Sequence, residues 1–261
     1  MPKLNIRTYI FFLVIIVCVL SPLTFYLITK SGHKPSIDDI WVINLDKDTE
    51  RLKFILSQEK HLPQKIQRFP AVYGKDLDRD LIANLDGVQT IISRSNNAEE
   101  NKRSNKVLNK VGEIGCWVSH KRLLKKLNSQ NYPSDFGHLI CEDDIIIPKD
   151  FSKQWAKASL AIPSNWDMVF LGAGDVYGTR INKYVVKWKH DRDVANWGTY
   201  AYLVRHKSLG KILDKLVLMS APIDVQYYKM LGNLNIYALD PVLITVNFSD
   251  FKSSIDGQEI R

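Results

Sequence analysis

Apolar residues along this chain follow two rhythms. Short apolar-rich runs occur at residues 40–45 (I-W-V-I-N-L), 66–72, 166–172 (W-D-M-V-F-L-G), 184–188, 199–204, 236–239 and 242–246. A further pair, 139–141 and 145–147, is bounded by Gly137 and Pro148. Runs of this kind, rich in β-branched and aromatic residues, predict buried strands. Between them the apolar residues recur at helical spacing. Leu52, Ile55 and Leu56 follow Asp46 and Asp48, either of which can cap a helix. Trp117, His120, Leu124 and Leu127 form one stripe over residues 112–130, with Lys121, Arg122, Lys125 and Lys126 largely off it. Helices are also expected at 76–86, 149–161, 207–218 and 222–231. In the last, Pro222 suits the first turn and Asp224 lies just inside it. Residues 86–110 are rich in Ser, Asn and Lys and read as a surface loop. Strands alternating with helices predict an α/β domain with a mostly parallel central sheet. In such sheets ligands bind at the carboxyl ends of the strands.

One stretch departs from both rhythms. Residues 8–29 contain no charged side chain. A helix of that length spans roughly 33 Å, enough for the hydrocarbon core of a bilayer. The segment around Ser21 and Pro22 makes a poor signal-peptidase site, so an uncleaved transmembrane anchor is the preferred reading. The expected plan is a short flank at 1–7, an anchor at 8–29, a linker at 30–38 and a soluble domain at 39–261. Lys3 and Arg7 on one side nearly balance Lys30 and Lys34 on the other, which leaves orientation open.

The net charge of +8 changes meaning once it is located. Those four basic residues supply half of it, and the rest holds 32 basic against 28 acidic side chains. A nucleic-acid partner is therefore not expected. The basic run on the 112–130 helix reads first as a solvated face. His120 reads as a structural hydrogen-bonding group rather than a reactive one. Cys18, Cys116 and Cys141 show no C-x-x-C or zinc spacing and read as buried thiols, which suits a reducing compartment.

The candidate chemistry lies between the runs at 139–141 and 145–147, where Glu142, Asp143 and Asp144 are consecutive. Carboxylates at the end of a buried strand are costly unless something positive compensates them. A hard divalent cation, Mn²⁺ or Mg²⁺, does so and leaves coordination positions for phosphate oxygens. Alternate strand residues face the same way, so Glu142 and Asp144 can share an ion while Asp143 points elsewhere. A solvated acidic turn is the competing account. Asn44 sits at a strand end as well, so one site can contain it and the acids.

These segments resemble glycosyltransferase family 25, which includes bacterial lipooligosaccharide β-galactosyltransferases and animal collagen galactosyltransferases. The likeness runs through I-W-V-I-N-L-D with Glu50 and Arg51, then R-F-P-A-V-Y-G at 68–74 and G-E-I-G-C-W-V-S-H at 112–120. It continues through L-I-C-E-D-D-I at 139–145, W-D-M-V-F-L-G, G-T-Y-A-Y-L-V at 198–204, A-P-I-D at 221–224, and Ser254 with Ile255. Their order is more specific than any one block. The resemblance implies a GT-A-like nucleotide-sugar-binding domain, a UDP-sugar donor and inverting transfer of a hexose, galactose first. It implies Glu142 and Asp144 as metal ligands, with Asn44, Arg51 and Asp143 at the donor, and it also allows Asp143 to be a ligand. Inversion needs a general base, for which Asp224 is the first candidate and Glu113 the second. Each of these two can equally serve only to compensate a helix N-terminus. With the anchor, the expected acceptor is a lipid-linked oligosaccharide of lipooligosaccharide or lipopolysaccharide type. The expected place is a bacterial inner membrane, catalytic domain in the cytoplasm. A non-catalytic sugar-binding scaffold and a metal-dependent phosphoesterase are the alternatives.

Overall fold

β1 (Asp39–Asn44) is buried at all six positions, and its side chains alternate between two cores. Trp41 and Ile43 face one side, while Ile40 and Val42 face the other. The same alternation holds in β3 (Gly137–Glu142), β5 (Met168–Gly172) and β8 (Ala201–Arg205). Strands covered on both faces need apolar residues at consecutive positions, which is why their sequences are continuous runs. The computed structural model describes residues 34–77, 111–189, 198–219 and 221–251. The described residues from 35 onward form one compact unit.

The main sheet has eight strands in the order β2-β1-β3-β8-β5-β9-β7-β6. The remaining members are β2 (Ile66–Pro70), β6 (Gly178–Arg180), β7 (Val185–Trp188) and β9 (Ile236–Leu239). The expected parallel character holds for the direction of six strands. It fails at β8, antiparallel to β3 and β5, and at β7, antiparallel to β9 and β6. β4 (Ile145–Ile146) pairs with β10 (Thr245–Val246) in a small second sheet.

Helices cover both faces. α2 (Val111–Asn128), α4 (Leu209–Leu213) and α5 (Ile223–Tyr228) pack on the face of Trp41 and Phe170. Trp117, Leu124 and Leu127 from α2 are fully buried there. α1 (Thr49–Ser57) places Ile55 on the opposite face, and α3 (Phe151–Ser159) adds Phe151 and Trp155. Burying such side chains contributes about 1.5–3 kcal/mol each.

Several elements differ from the sequence expectation. The helix expected at 207–218 is a 3₁₀ turn (His206–Ser208) followed by the short α4. Pro222 is the N-cap of α5 rather than a residue of its first turn. β6 was not expected. Asp48 is the N-cap of α1, but its side chain makes no capping bond. Lys121 is buried, with Nζ 4.8 Å from the Trp117 ring centre and donating to the Val217 carbonyl at 3.3 Å. Its ammonium ends at a carbonyl while its stem packs, so only Arg122, Lys125 and Lys126 of the basic run are exposed.

The anchor expected at 8–29, the loop at 86–110 and the pair Ser254 and Ile255 lie outside the described residues. So does the helix expected at 76–86 beyond its start, where Asp76 closes a 3₁₀ turn (Gly74–Asp76). Among the described residues no helix is long and apolar enough to cross a membrane.

Candidate active site

β1 and β3 are parallel neighbours with Ile43 opposite Glu142. Their carboxyl ends deliver Asn44 and the three acids to one edge of the sheet. β8 runs the other way, so Gly198, Thr199 and Tyr200, just before it, reach that edge too.

Asp143 turns toward β1 and is 7% exposed. Asn44 Nδ2 donates to its Oδ2 at 2.7 Å, and Arg51 Nη1 donates to its Oδ1 at 2.7 Å. The same Nη1 donates to Asp144 Oδ2 at 3.1 Å. Arg51 therefore holds two of the three acids from α1. Asn44 is fixed in turn. Its Nδ2 also donates to the Asp48 carbonyl at 3.1 Å, and its Oδ1 accepts from Arg68 Nε at 2.8 Å. Arg68 pairs with Asp46 as well.

Glu142 turns the other way, and Thr199 Oγ1 donates to its Oε1 at 2.7 Å. Burial, reinforced by the charges of Asp144, Asp143 and Asp224, pushes the Glu142 carboxyl up to about 8 against that hydrogen bond. Burial raises Asp144 too, with Arg51 opposing it. Asp144 Oδ1 is buried with no hydrogen-bond partner among the described residues. Two raised carboxyls, one with an orphaned oxygen, form an oxygen-donor pair suited to a hard cation.

Asp224 lies at the start of α5. Its Oδ2 accepts from Gly198 N at 2.8 Å and its Oδ1 accepts from Val225 N at 2.7 Å. Gly198 has φ +86°, a conformation that glycine adopts without a Cβ clash. Gly198 thus grips Asp224 while its neighbour Thr199 grips Glu142. Glu113 sits in the first turn of α2. The charges of Glu142, Asp224 and Glu113 all add to the burial that raises the Cys116 thiol.

Several of these residues line an open cleft. Arg51, Tyr73, Cys116, His120 and the three acids line it, whereas Glu113 and Asp224 are not among the lining residues. Its α2 wall approaches the chain after β2 closely. A Cβ on Gly115 would lie 2.6 Å from the Val72 carbonyl oxygen, so this crossing requires glycine. Beside it, Ser119 Oγ accepts from Val72 N at 2.8 Å. His120 makes the structural bond expected of it, Nδ1 to the Tyr202 hydroxyl at 2.9 Å, and burial lowers its ring to about 3, keeping it neutral. Cys116 and Cys141 are both free thiols. Cys116 is half-buried in the cleft rather than fully buried as expected. The sequence reading did not single out Thr199, Tyr73 or Cys116 for this site. Their only local signal was membership of the blocks at 198–204, 68–74 and 112–120.

In an α/β sheet, a carboxylate-lined cleft at the strand ends is where a ligand site is expected. The sequence model described as "Glycosyltransferase family 25 (LPS biosynthesis protein)" matches residues 37–226, and the chain belongs to that family. A "Glycosyltransferase 25 family member" of Aedes aegypti is 24% identical over 208 residues, 77% of this chain and 32% of that protein. One of Drosophila pseudoobscura pseudoobscura, with the same description, is 26% identical over 176 residues, 67% of this chain and 26% of that protein. The chain thus spans a third or less of the length of these relatives. Among solved structures, 4-diphosphocytidyl-2C-methyl-D-erythritolsynthase from Anaerococcus prevotii DSM 20548 matches with TM-score 0.35 and 11% identity. That match covers 84% of this chain and 74% of the other, and the likeness is too slight to bear on the fold.

Proposed function

We propose that the protein is an inverting glycosyltransferase that moves a hexose, galactose first, from a UDP-sugar to a lipid-linked oligosaccharide of lipooligosaccharide type. The observation that carries this is the Glu142–Asp144 pair at the strand ends, raised by burial and with Asp144 Oδ1 unpartnered among the described residues. Family membership supports the reaction class. Glu142 and Asp144 would hold Mn²⁺ or Mg²⁺. When bound, such an ion neutralises charge on the departing diphosphate.

The chain's own groups do the rest. Arg51 and Asn44 lock Asp143 and, through it, the turn that carries the pair. Cleft residues near Asn44 and Tyr73 receive the nucleoside. Asp224 takes the acceptor hydroxyl proton, its carboxylate aimed by the Gly198 and Val225 N–H groups, and Glu113 is the second candidate. The uncharged stretch at 8–29 supports a membrane tether; the bacterial inner membrane, with the domain in the cytoplasm, is the place the family resemblance suggests. A tether raises the effective concentration of a lipid-borne acceptor.

The test is UDP release by the purified full-length chain from a panel of UDP-sugars, with Mn²⁺ and a lipooligosaccharide acceptor. UDP-galactose should give acceptor-dependent release, and Asp144→Ala should lower it by roughly 100-fold or more, in the range of other lost electrostatic groups. Full activity of Asp144→Ala, or no release from any UDP-sugar, overturns the reading.

A further inference from the structure

Cys116 and His120 are four residues apart on α2, so both side chains leave the same face of the helix. That face meets the end of β3. One potential ligand atom each from Cys116, His120 and Glu142 lies within 4.8 Å of the others. A sulfur, a nitrogen and an oxygen converge there from two elements that share no local sequence.

The histidine is set up for a ligand. His120 is 1% exposed, and its Nδ1 is engaged by the Tyr202 hydroxyl at 2.9 Å. Tyr202 OH is itself within 3.1 Å of Tyr227 OH, so the ring is held by a buried chain of hydroxyls. A ring fixed through one nitrogen by an outer partner, presenting the other, is the usual arrangement of a metal-bound histidine. The other nitrogen, Nε2, is buried with no hydrogen-bond partner among the described residues. Leaving a buried ring nitrogen unpaired is costly, and a bound cation would offset that cost.

We propose that Cys116, His120 and Glu142 form a binding site for a thiophilic divalent cation of the Zn²⁺ class, with its fourth position open to the cleft. Cys, His and Glu are the ordinary zinc donors, and three protein ligands plus one open position is a common zinc arrangement. Ligand atoms around zinc, with bonds of about 2.0–2.3 Å, stand roughly 3.3–3.8 Å apart. The three donors therefore need to close by at most about 1.5 Å, which side-chain adjustment provides. Cys116 lines the cleft, so the ion has a path in. Glu142 is shared with the hard-cation pair, but sulfur and nitrogen select a different ion from the one that Glu142 and Asp144 select. The proposal does not depend on sugar transfer. Its test reads no transfer, so either reading can fail alone.

The experiment is a Co²⁺ titration of the reduced full-length chain, followed by the thiolate-to-cobalt charge-transfer absorption. Wild type should develop the band at one equivalent. Zn²⁺ should abolish it, and Mg²⁺ at the same concentration should not. Cys116→Ser should remove the band and weaken Co²⁺ binding by roughly 100-fold, at or beyond the effect of losing an outer-shell partner. Cys141→Ser should keep the band, because Cys141 faces the opposite core. Thermal melting confirms the fold of each variant, and Cys116→Ala replaces Cys116→Ser if the latter does not fold. A wild type without the band, a band that survives loss of the Cys116 thiol, or displacement by Mg²⁺ as readily as by Zn²⁺ overturns the site.

Discussion

Asn44 and Asp143 stand 99 residues apart in the chain and are joined by a 2.7 Å hydrogen bond. The bond exists because β1 and β3 are adjacent and parallel, so their ends coincide. Asn44 also accepts from Arg68, and so ties the third strand of this trio to the acids. A carboxylate this buried relies on each donor it has.

Asn44→Ala should therefore destabilise the fold as well as disturb the cleft. It leaves Asp143 Oδ2 without this donor and Arg68 Nε without this acceptor. The expected loss is about 1–3 kcal/mol, the range for leaving a buried polar group unsatisfied. Urea unfolding measures it, and a change below about 0.5 kcal/mol would mean that water replaces the amide freely.

The pH dependence of stability follows from Glu142. In the unfolded chain this carboxyl ionises near its ordinary 4.5, and in the fold at about 8. Between those values the folded state binds the extra proton. Stability is then greatest on the acid side and falls as pH rises through the window. Asp144 is raised too and acts with the same sign. Metal-free wild type should show a falling urea midpoint from about pH 5 to pH 9, and Glu142→Gln a flatter one. Equal slopes in the two proteins would place the proton uptake elsewhere.

How much of this was legible in the chain depended on range. β9 falls on the run at 236–239, and β1 lies within one residue of the run at 40–45. Buried strands announce themselves by composition, and the acids after Cys141 stood out because nothing local explained them. Strand direction carried no such mark. The run at 199–204 reads the same whichever way it is threaded, so the reversal at β8 was invisible. Thr199 came with it, because it read only as the first residue of that run. Arg51 lines the cleft, but that its guanidinium would also hold Asp143 and Asp144 was not legible, because tertiary packing sets that contact. Lys121 looked solvated because its carbonyl partner, Val217, lies 96 residues away.

Asp224→Asn separates binding from chemistry. The amide keeps the shape but cannot take up a proton as a carboxylate does. Single-turnover transfer should slow by roughly 10²- to 10⁴-fold, the range for loss of a general base. Calorimetric affinity for UDP with Mn²⁺ should stay near wild type, because Asp224 is not among the residues lining the cleft. Loss of UDP binding instead would move Asp224 to the donor side, and unchanged transfer would make Glu113 the residue to test.

Gly115→Ala should cost about 1–3 kcal/mol by overpacking, since the methyl meets backbone rather than a side chain that can swing away. The strain falls on the segment at Val72 and Gly74, so affinity for UDP should weaken along with thermal stability. A variant as stable as wild type would show that α2 can shift outward without loss.

The reversed strand has a consequence for the ribosome. β2, β1 and β3 can assemble as soon as residue 142 is free, but one side of β3 then has no neighbour. Its partner β8, with Thr199 that holds Glu142 from 57 residues further on, has still to be made. Until then the nascent chain presents an apolar open edge, the kind of surface that chaperones cover and stray strands join. A stalled chain ending before residue 198 should be cut readily within 137–142 by added protease, and one extending well past Arg205 should resist.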